Sequence, residues 1–132
     1  CAVSTTVRTR RGIPRALAWL DPWGPPLALM ALIFYLSAQP DLSSGLGTID
    51  LVGRKLVHAG EYALLAFLWW RALRTRLAHR RAILAALAIA VLYAVSDEFH
   101  QSFVEGRNGS PLDVGIDTVG AAISARLLWR RG

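Results

Sequence analysis

The sequence predicts an all-α fold, specifically an integral membrane bundle of four helices whose N- and C-termini are both cytoplasmic. Three observations support this prediction: long apolar segments, polar turns between them, and basic residues concentrated beside alternate turns. The 132 residues are 54% hydrophobic and have a mean hydropathy of +0.37. This length suits one domain. The single cysteine, Cys1, excludes a disulfide within this sequence.

Four apolar segments are predicted to span the membrane, each near the short end of the roughly 17–25 residues that a crossing requires. Pro25 and Pro26 suit the start of the first segment, because proline lacks an N–H that a helix start would leave unpaired. Residues 1–22 are predicted to form a basic cytoplasmic tail, and residues 23–132 the transmembrane domain. The predicted spans are residues 23–39, 55–73, 82–103 and 112–129.

The segments between the spans have the composition of loops. Residues 41–53 are rich in Gly, Ser and Asp, residues 74–81 are basic, and residues 106–111 contain Gly, Asn and Pro. The alternative fold is a soluble helical bundle. It is disfavoured because the predicted spans are apolar nearly all round, whereas surface helices of soluble bundles carry an apolar stripe.

Charge divides the chain into two predicted faces. Twelve of the fifteen basic residues fall on one of them: Arg8, Arg10, Arg11, Arg15, Arg71, Arg74, Arg76, Arg80, Arg81, Arg126, Arg130 and Arg131. By the positive-inside rule this face is cytoplasmic, and both termini lie on it, so the number of spans is even.

The opposite, outer half carries three basic and eight acidic residues, a net charge of −5. They are Arg54, Lys55, Arg107, Asp41, Asp50, Glu61, Asp97, Glu98, Glu105, Asp113 and Asp117. An acidic outer face excludes nucleic acid as a partner. The predicted partner is the lipid bilayer of a membrane that the chain crosses several times.

Polar side chains recur at helical spacing near the outer ends of the spans. Lys55, His58 and Tyr62 share a stripe on the second span, and Asp97 and Gln101 lie one turn apart on the third. Ionisable residues inside a membrane are costly and commonly functional. The predicted ligand-binding residues are Lys55, His58, Tyr62, Asp97, Glu98, Gln101, Arg107, Asp113 and Asp117. Glu98 is expected to point to the flank of its helix, with Glu105 and His100 as secondary candidates.

Arg54 and Lys55 stand at the predicted start of the second span. Cations there oppose the helix macrodipole, so the sequence predicts carboxylate partners for them on the third and fourth spans. Individually, several of these residues have ordinary structural explanations. Asp41, Asp50 and Glu105 are expected to cap helices or pair charges, Asp113 suits the first turn of a helix, and either histidine alone could be structural.

A divalent metal is the weaker interpretation of the cluster. Carboxylates with His58 and His100 could ligate such an ion. No H-E-x-x-H or comparable spacing supports it, so the sequence predicts no metal site and no cofactor. The sequence also offers no evident catalytic nucleophile, because it contains no G-x-S-x-G motif and no cysteine within a predicted span.

Four ordered segments resemble the VanZ-like family of small bacterial membrane proteins. They are Phe34-Tyr35-Leu36-Ser37-Ala38-Gln39-Pro40; Lys55-Leu56-Val57-His58 with Tyr62; Ser96-Asp97-Glu98-Phe99-His100-Gln101 with Phe103 and Arg107; and Asp113 with Asp117-Thr118-Val119-Gly120. Arg54 departs from the acid that the family commonly has before the lysine. The family's namesake is an accessory protein of glycopeptide resistance that lowers susceptibility to teicoplanin, so the resemblance implies a link to the cell envelope. It also implies that the membrane is the bacterial inner, cytoplasmic membrane.

Three functions follow as hypotheses. In the first, the outer acidic pocket binds an envelope lipid, a lipid-linked cell-wall precursor or a glycopeptide-type antibiotic. In the second, the protein is an intramembrane hydrolase or transferase acting on a lipid or phosphate-containing substrate. There His58, Asp97 and Glu98 would be the catalytic candidates, and Lys55 and Arg107 would hold an anion. In the third, the polar cluster only holds the helices together.

Overall fold

Four long helices and one short helix make up the part of the chain that the computed structural model describes, which is residues 14–18, 20–40 and 45–132. Within these residues there is no strand, and the predicted all-α class is confirmed. Arg8, Arg10, Arg11 and Asp41 lie outside the described residues. The helices are α1 (Arg15–Ala18), α2 (Leu20–Ser37), α3 (Thr48–Leu73), α4 (His79–Gln101) and α5 (Pro111–Trp129).

The long helices alternate in direction. Arg71, near the end of α3, contacts Asp21 at the start of α2, and the His79 ring at the start of α4 lies 3.1 Å from the Leu128 carbonyl at the end of α5. Helix α3 is central, because it packs against α5, α4 and α2. One end of the bundle therefore brings together the last turn of α2, the first half of α3, the end of α4 and the start of α5.

The interior is built from small residues. Of the fourteen buried apolar side chains among the described residues, eight are alanines: Ala66, Ala72, Ala82, Ala86, Ala90, Ala94, Ala121 and Ala125. Gly120 allows the closest approach, because a Cβ at this position would collide with the main chain of Ala59 on α3. Small residues at crossing points let helix backbones approach closely.

Large apolar side chains lie mainly on the outside. Twenty-six of them are exposed in the described residues. They include Phe34, Leu56, Leu92, Phe99 and Val119, whose exposed fractions lie between 52% and 70%. Helix α2 is apolar along most of its length, yet only Pro26, Ile33 and Ser37 are buried. An exposed apolar surface this extensive marks a face that contacts something other than water.

Among the described residues, one helix is both long and apolar enough to cross a membrane: α4, His79–Gln101. Length and composition thus support one of the four predicted spans. The other three remain predictions, and so does the arrangement of all four in a membrane.

Two local predictions were wrong. Helix α3 begins at Thr48, so the second part of the loop predicted at residues 41–53 is helical. Pro25 and Pro26 lie inside α2, which already begins at Leu20. Proline at position 25 leaves the Asp21 carbonyl without its usual helical donor. The Arg71 guanidinium supplies the missing hydrogen bond, with its Nη2 atom 2.7 Å from that carbonyl oxygen.

Candidate functional site

A cavity of about 240 Å³ lies at the end of the bundle where the first half of α3, the end of α4 and the start of α5 meet. Most of its lining is polar or charged. The lining residues are Leu51, Arg54, Lys55, His58, Glu98, Gln101, Gly106, Arg107, Asn108, Asp113, Ile116 and Asp117. Seven of the nine predicted ligand-binding residues are among them.

The turn between α4 and α5 shapes one wall of this cavity. Gly106 has a φ of 79°, a left-handed conformation that glycine adopts without strain. Gly109 packs against the end of α4 so closely that a Cβ would collide with the Glu98 carbonyl. Ser110 then caps α5, its hydroxyl accepting a hydrogen bond from the Leu112 N–H at 3.2 Å.

Glu98 is held by this turn. Its Oε2 accepts a hydrogen bond from the Ser110 N–H at 3.1 Å, and the residue is 5% exposed. The expectation that Glu98 points to the flank of α4 was therefore wrong. The physical reason is the tight turn at Gly109, which brings an unpaired N–H of the next helix start over α4 and gives the carboxylate a partner.

Lys55 pairs with Asp113 across α3 and α5, with 3.1 Å between Nζ and Oδ1. Both side chains are about one-third exposed, at 31% each. A carboxylate partner was predicted for Lys55, but the reason given for it was wrong. Because α3 begins at Thr48, Lys55 lies two turns inside the helix and does not oppose the macrodipole at its start. Asp113 does lie in the first turn of α5, as predicted.

His58 and Asp117 face each other deeper in the cavity. The distance from His58 Nδ1 to Asp117 Oδ1 is 3.6 Å, longer than an N–H···O hydrogen bond. Asp117 is fully buried, and neither of its carboxylate oxygens has a hydrogen-bond partner among the described residues. A buried carboxylate without hydrogen bonds is costly.

Three potential metal ligands from three helices converge at this point. His58 on α3, Glu98 on α4 and Asp117 on α5 each offer one ligand atom, and these atoms all lie within 4.8 Å of one another. No sequence motif identifies this group of ligands, because its members are separated by 40 and 19 positions and meet only through helix packing.

The other two predicted ligand-binding residues, Tyr62 and Asp97, are buried behind the cavity wall. Gln101 connects Asp97 to the cavity and to α2. Its Nε2 donates to Asp97 Oδ2 at 3.0 Å and to Ser37 Oγ at 3.3 Å. The Tyr62 hydroxyl lies in the interior beside Asp97. This network joins α4 to the last turn of α2 and indicates a supporting role for Asp97.

Arg107 connects the α4–α5 turn to α2. Its Nη1 lies 3.5 Å from the carbonyl oxygen of Ser37, the last residue of α2. Carbonyls at a helix C-terminus lack intrahelical donors, and a cation there also suits the macrodipole. Arg107 therefore lines the cavity and caps α2. His100, a secondary candidate, lies outside the cavity and stacks on Phe34 with ring centroids 4.4 Å apart.

Several lining residues were missed by the sequence analysis. Arg54 was predicted to have a carboxylate partner and was noted as a departure from a family pattern, but it was not predicted to bind a ligand. Asn108 was assigned to a turn. Ser37 lay inside a quoted motif without a role, although it anchors both Gln101 and Arg107. The position of Arg54 next to Lys55 could have indicated that it lines the same site. Nothing in the sequence alone singles out Ser37.

The cavity suits recognition of a ligand that carries negative and positive charge together. Arg54, Lys55 and Arg107 can contact an anion, and the three carboxylates of the lining can contact a cation. The described lining contains no serine, threonine or cysteine, so it offers no hydroxyl or thiol nucleophile.

A sequence model of the VanZ/LLP1 family matches residues 23–130. No curated protein and no solved structure matches the chain. The family match takes in all four long helices except the first three residues of α2, and every residue that lines the cavity. The chain therefore belongs to the VanZ/LLP1 family.

Proposed function

We propose that this protein is a multi-pass protein of the bacterial cytoplasmic membrane, and that its polar cavity opens to the outer face and binds the charged headgroup of an envelope lipid or lipid-linked cell-wall precursor. The observation that carries the proposal is a charged cavity at one end of a bundle whose outer surface is apolar. VanZ-family proteins are generally membrane-associated.

The distribution of side-chain size supports a lipid environment. In water, large apolar residues fill the core, whereas here eight of the fourteen buried apolar side chains of the described residues are alanines and most large apolar residues lie on the outside. Lipid removes the penalty for such exposure, and close packing of small residues then holds the helices together.

The two ends of the bundle support the proposed orientation. The end opposite the cavity carries most of the described basic residues: Arg71, Arg74, Arg76, Arg80, Arg81, Arg126, Arg130 and Arg131. Tryptophans lie beside them, with the Arg74 guanidinium 4.8 Å from the Trp70 ring and Arg80 5.0 Å from the Trp129 ring. Basic and aromatic residues together are typical of a cytoplasmic membrane interface.

The cavity size favours a headgroup over a whole antibiotic. Pockets that enclose drug-sized molecules measure roughly 300–1,000 Å³, and glycopeptides are larger than most drugs, whereas this cavity has about 240 Å³. A glycopeptide could contact only its rim. Any role in glycopeptide or teicoplanin resistance would accordingly act through the lipid-linked precursor.

The enzyme alternative, a hydrolase or transferase acting on a lipid phosphate, shares this headgroup but requires a water or hydroxyl activated in the cavity. The candidate groups would be His58, Glu98 and Asp117, whereas Asp97 lies behind the wall. Turnover of the bound lipid would distinguish this alternative from simple binding.

Lipid binding to the purified full chain in detergent tests the proposal. Thermal shift would be measured with short-chain phosphatidylglycerol, with undecaprenyl phosphate, and with a neutral diacylglycerol as the control lipid. We expect stabilisation by the phosphate lipids only, and at least a tenfold loss of apparent affinity in Lys55→Met. The matched control is Arg76→Gln, which removes a cation at the opposite end and should bind normally. Equal stabilisation by all three lipids would refute headgroup recognition.

A further inference from the structure

The strongest unexplained feature of the cavity is the environment of Asp117. Its carboxylate is fully buried, lines the cavity, and has two oxygens without hydrogen-bond partners among the described residues. His58 Nδ1, which faces it, also lacks a hydrogen bond there. Buried polar atoms of this kind are rare in folded proteins and call for a partner such as an ion. We infer that His58, Glu98 and Asp117 bind a divalent transition-metal cation of the Zn²⁺ or Mn²⁺ type.

The geometry of His58 and Asp117 fits two ligands of one ion. Their facing atoms are 3.6 Å apart, which is too long for a hydrogen bond. Zinc binds histidine nitrogen and carboxylate oxygen at about 2.0–2.2 Å, so two ligands at tetrahedral angles lie about 3.4 Å apart. A movement of a few tenths of an ångström would bring this pair to ligand distance.

Glu98 completes the group with an orientation already set. Its Oε2 accepts the Ser110 N–H at 3.1 Å, which leaves the other oxygen available to the ion. Outer hydrogen bonds of this kind fix metal-ligating carboxylates. All three ligand atoms lie within 4.8 Å of one another, so the widest pair would have to close by up to about 1.4 Å to reach the tetrahedral spacing of about 3.4 Å.

The donor set determines the class of metal. Imidazole suits zinc and related transition metals, and carboxylates also suit manganese, whereas sites for calcium and magnesium are built from oxygen ligands. Two carboxylates balance the two charges of the ion. Three protein ligands leave at least one coordination position open toward the cavity, where water or a phosphate oxygen can bind. Metal binding by these three residues does not require the proposed lipid ligand.

Two of the cations that line the cavity have partners other than Asp117. The Lys55 ammonium is engaged with Asp113 at 3.1 Å, and Arg107 reaches the Ser37 carbonyl of α2. Asp117 faces His58 at 3.6 Å. A metal would neutralise Asp117 and use both unpaired atoms at once.

Metal retention by the purified full chain tests the inference. The protein in detergent would be stripped with chelator, incubated with ZnCl₂ or MnCl₂, desalted, and measured by elemental mass spectrometry. We expect about one equivalent in the wild type and at least a tenfold weaker affinity in Asp117→Asn and His58→Gln. The matched controls, His100→Gln and Glu105→Gln, remove a histidine and a carboxylate outside the cluster and should retain the metal.

A spectroscopic measurement on the wild type tests the site even if the substituted proteins do not fold. Co²⁺ added to the stripped wild type should give visible d–d absorption with the intensity of a low-coordinate site, and Zn²⁺ should abolish it. Wild-type protein that retains no metal and shows no such absorption would overturn the inference. Equal retention by Asp117→Asn and the wild type would do so as well, since it would show adventitious binding elsewhere.

Discussion

Gly120→Ala is the substitution whose effect the packing defines best. The added methyl would collide with the main chain of Ala59, so α3 and α5 must separate. Overpacking a closely packed site costs about 1–3 kcal/mol. We expect the upper value, about 3 kcal/mol, because a main-chain carbonyl cannot rotate aside as a side chain can.

Gly115→Ala is the matched control on the same helix. Gly115 is exposed, and nothing lies within 4 Å of a Cβ at that position. Both substitutions gain the same helix propensity, up to about 1 kcal/mol, which cancels when the two variants are compared. The remaining difference of about 3 kcal/mol corresponds to about 10 °C in Tm for a chain of this size.

The assay is thermal unfolding of both variants in the same detergent, followed by circular dichroism. We expect Gly120→Ala to melt about 10 °C below Gly115→Ala. Because Ala59 adjoins His58, and Asp117 lies one turn before Gly120, the variant should also lose the metal retention proposed above. Equal melting temperatures would refute the close crossing of α3 and α5, and with it the convergence of the cavity residues.

Two further substitutions test the local contacts. Ser110→Ala removes the cap of α5 and should lower the free energy of unfolding by about 1 kcal/mol, measured in the same assay; an unchanged Tm would contradict the cap. Arg71→Met leaves the Asp21 carbonyl without a donor, and because the contact is largely exposed the loss should be less than about 1 kcal/mol. Pro25→Ala gives that carbonyl a helical N–H donor, so Arg71→Met should lower the free energy of unfolding less in the Pro25→Ala background. An equal loss in both backgrounds of this double-mutant cycle would show that Arg71 does not replace the missing donor.

The sequence predicted the all-α class of the fold and grouped the polar residues that lie at one end of the bundle. Apolar runs mark the long helices, and helical spacing brings Lys55 and His58 to the same end as Asp113 and Asp117. The start of α3 was missed because glycine and aspartate in residues 41–53 are typical of loops. The helical segment within them shows that flanking apolar residues can outweigh this composition.

The finer geometry of the site could not be predicted from one sequence. Whether Glu98 or Asp97 faces the cavity depends on the rotation of α4, and both are polar and one position apart. That rotation is set by contacts such as Gly109 against the end of α4. The meeting of His58 with Asp117 likewise depends on the crossing at Gly120, which spacing along the chain does not encode.

The most direct test of the central claim is the accessibility of the two ends of the bundle in intact cells. In a Cys1→Ser background, Asn108→Cys would mark the cavity turn and Arg76→Cys the opposite loop. A membrane-impermeant maleimide should label Asn108→Cys in intact cells, and Arg76→Cys only after permeabilisation. Labelling of Arg76→Cys but not Asn108→Cys in intact cells, or recovery of the protein in the soluble fraction, would contradict a cavity that opens to the outer face of the membrane.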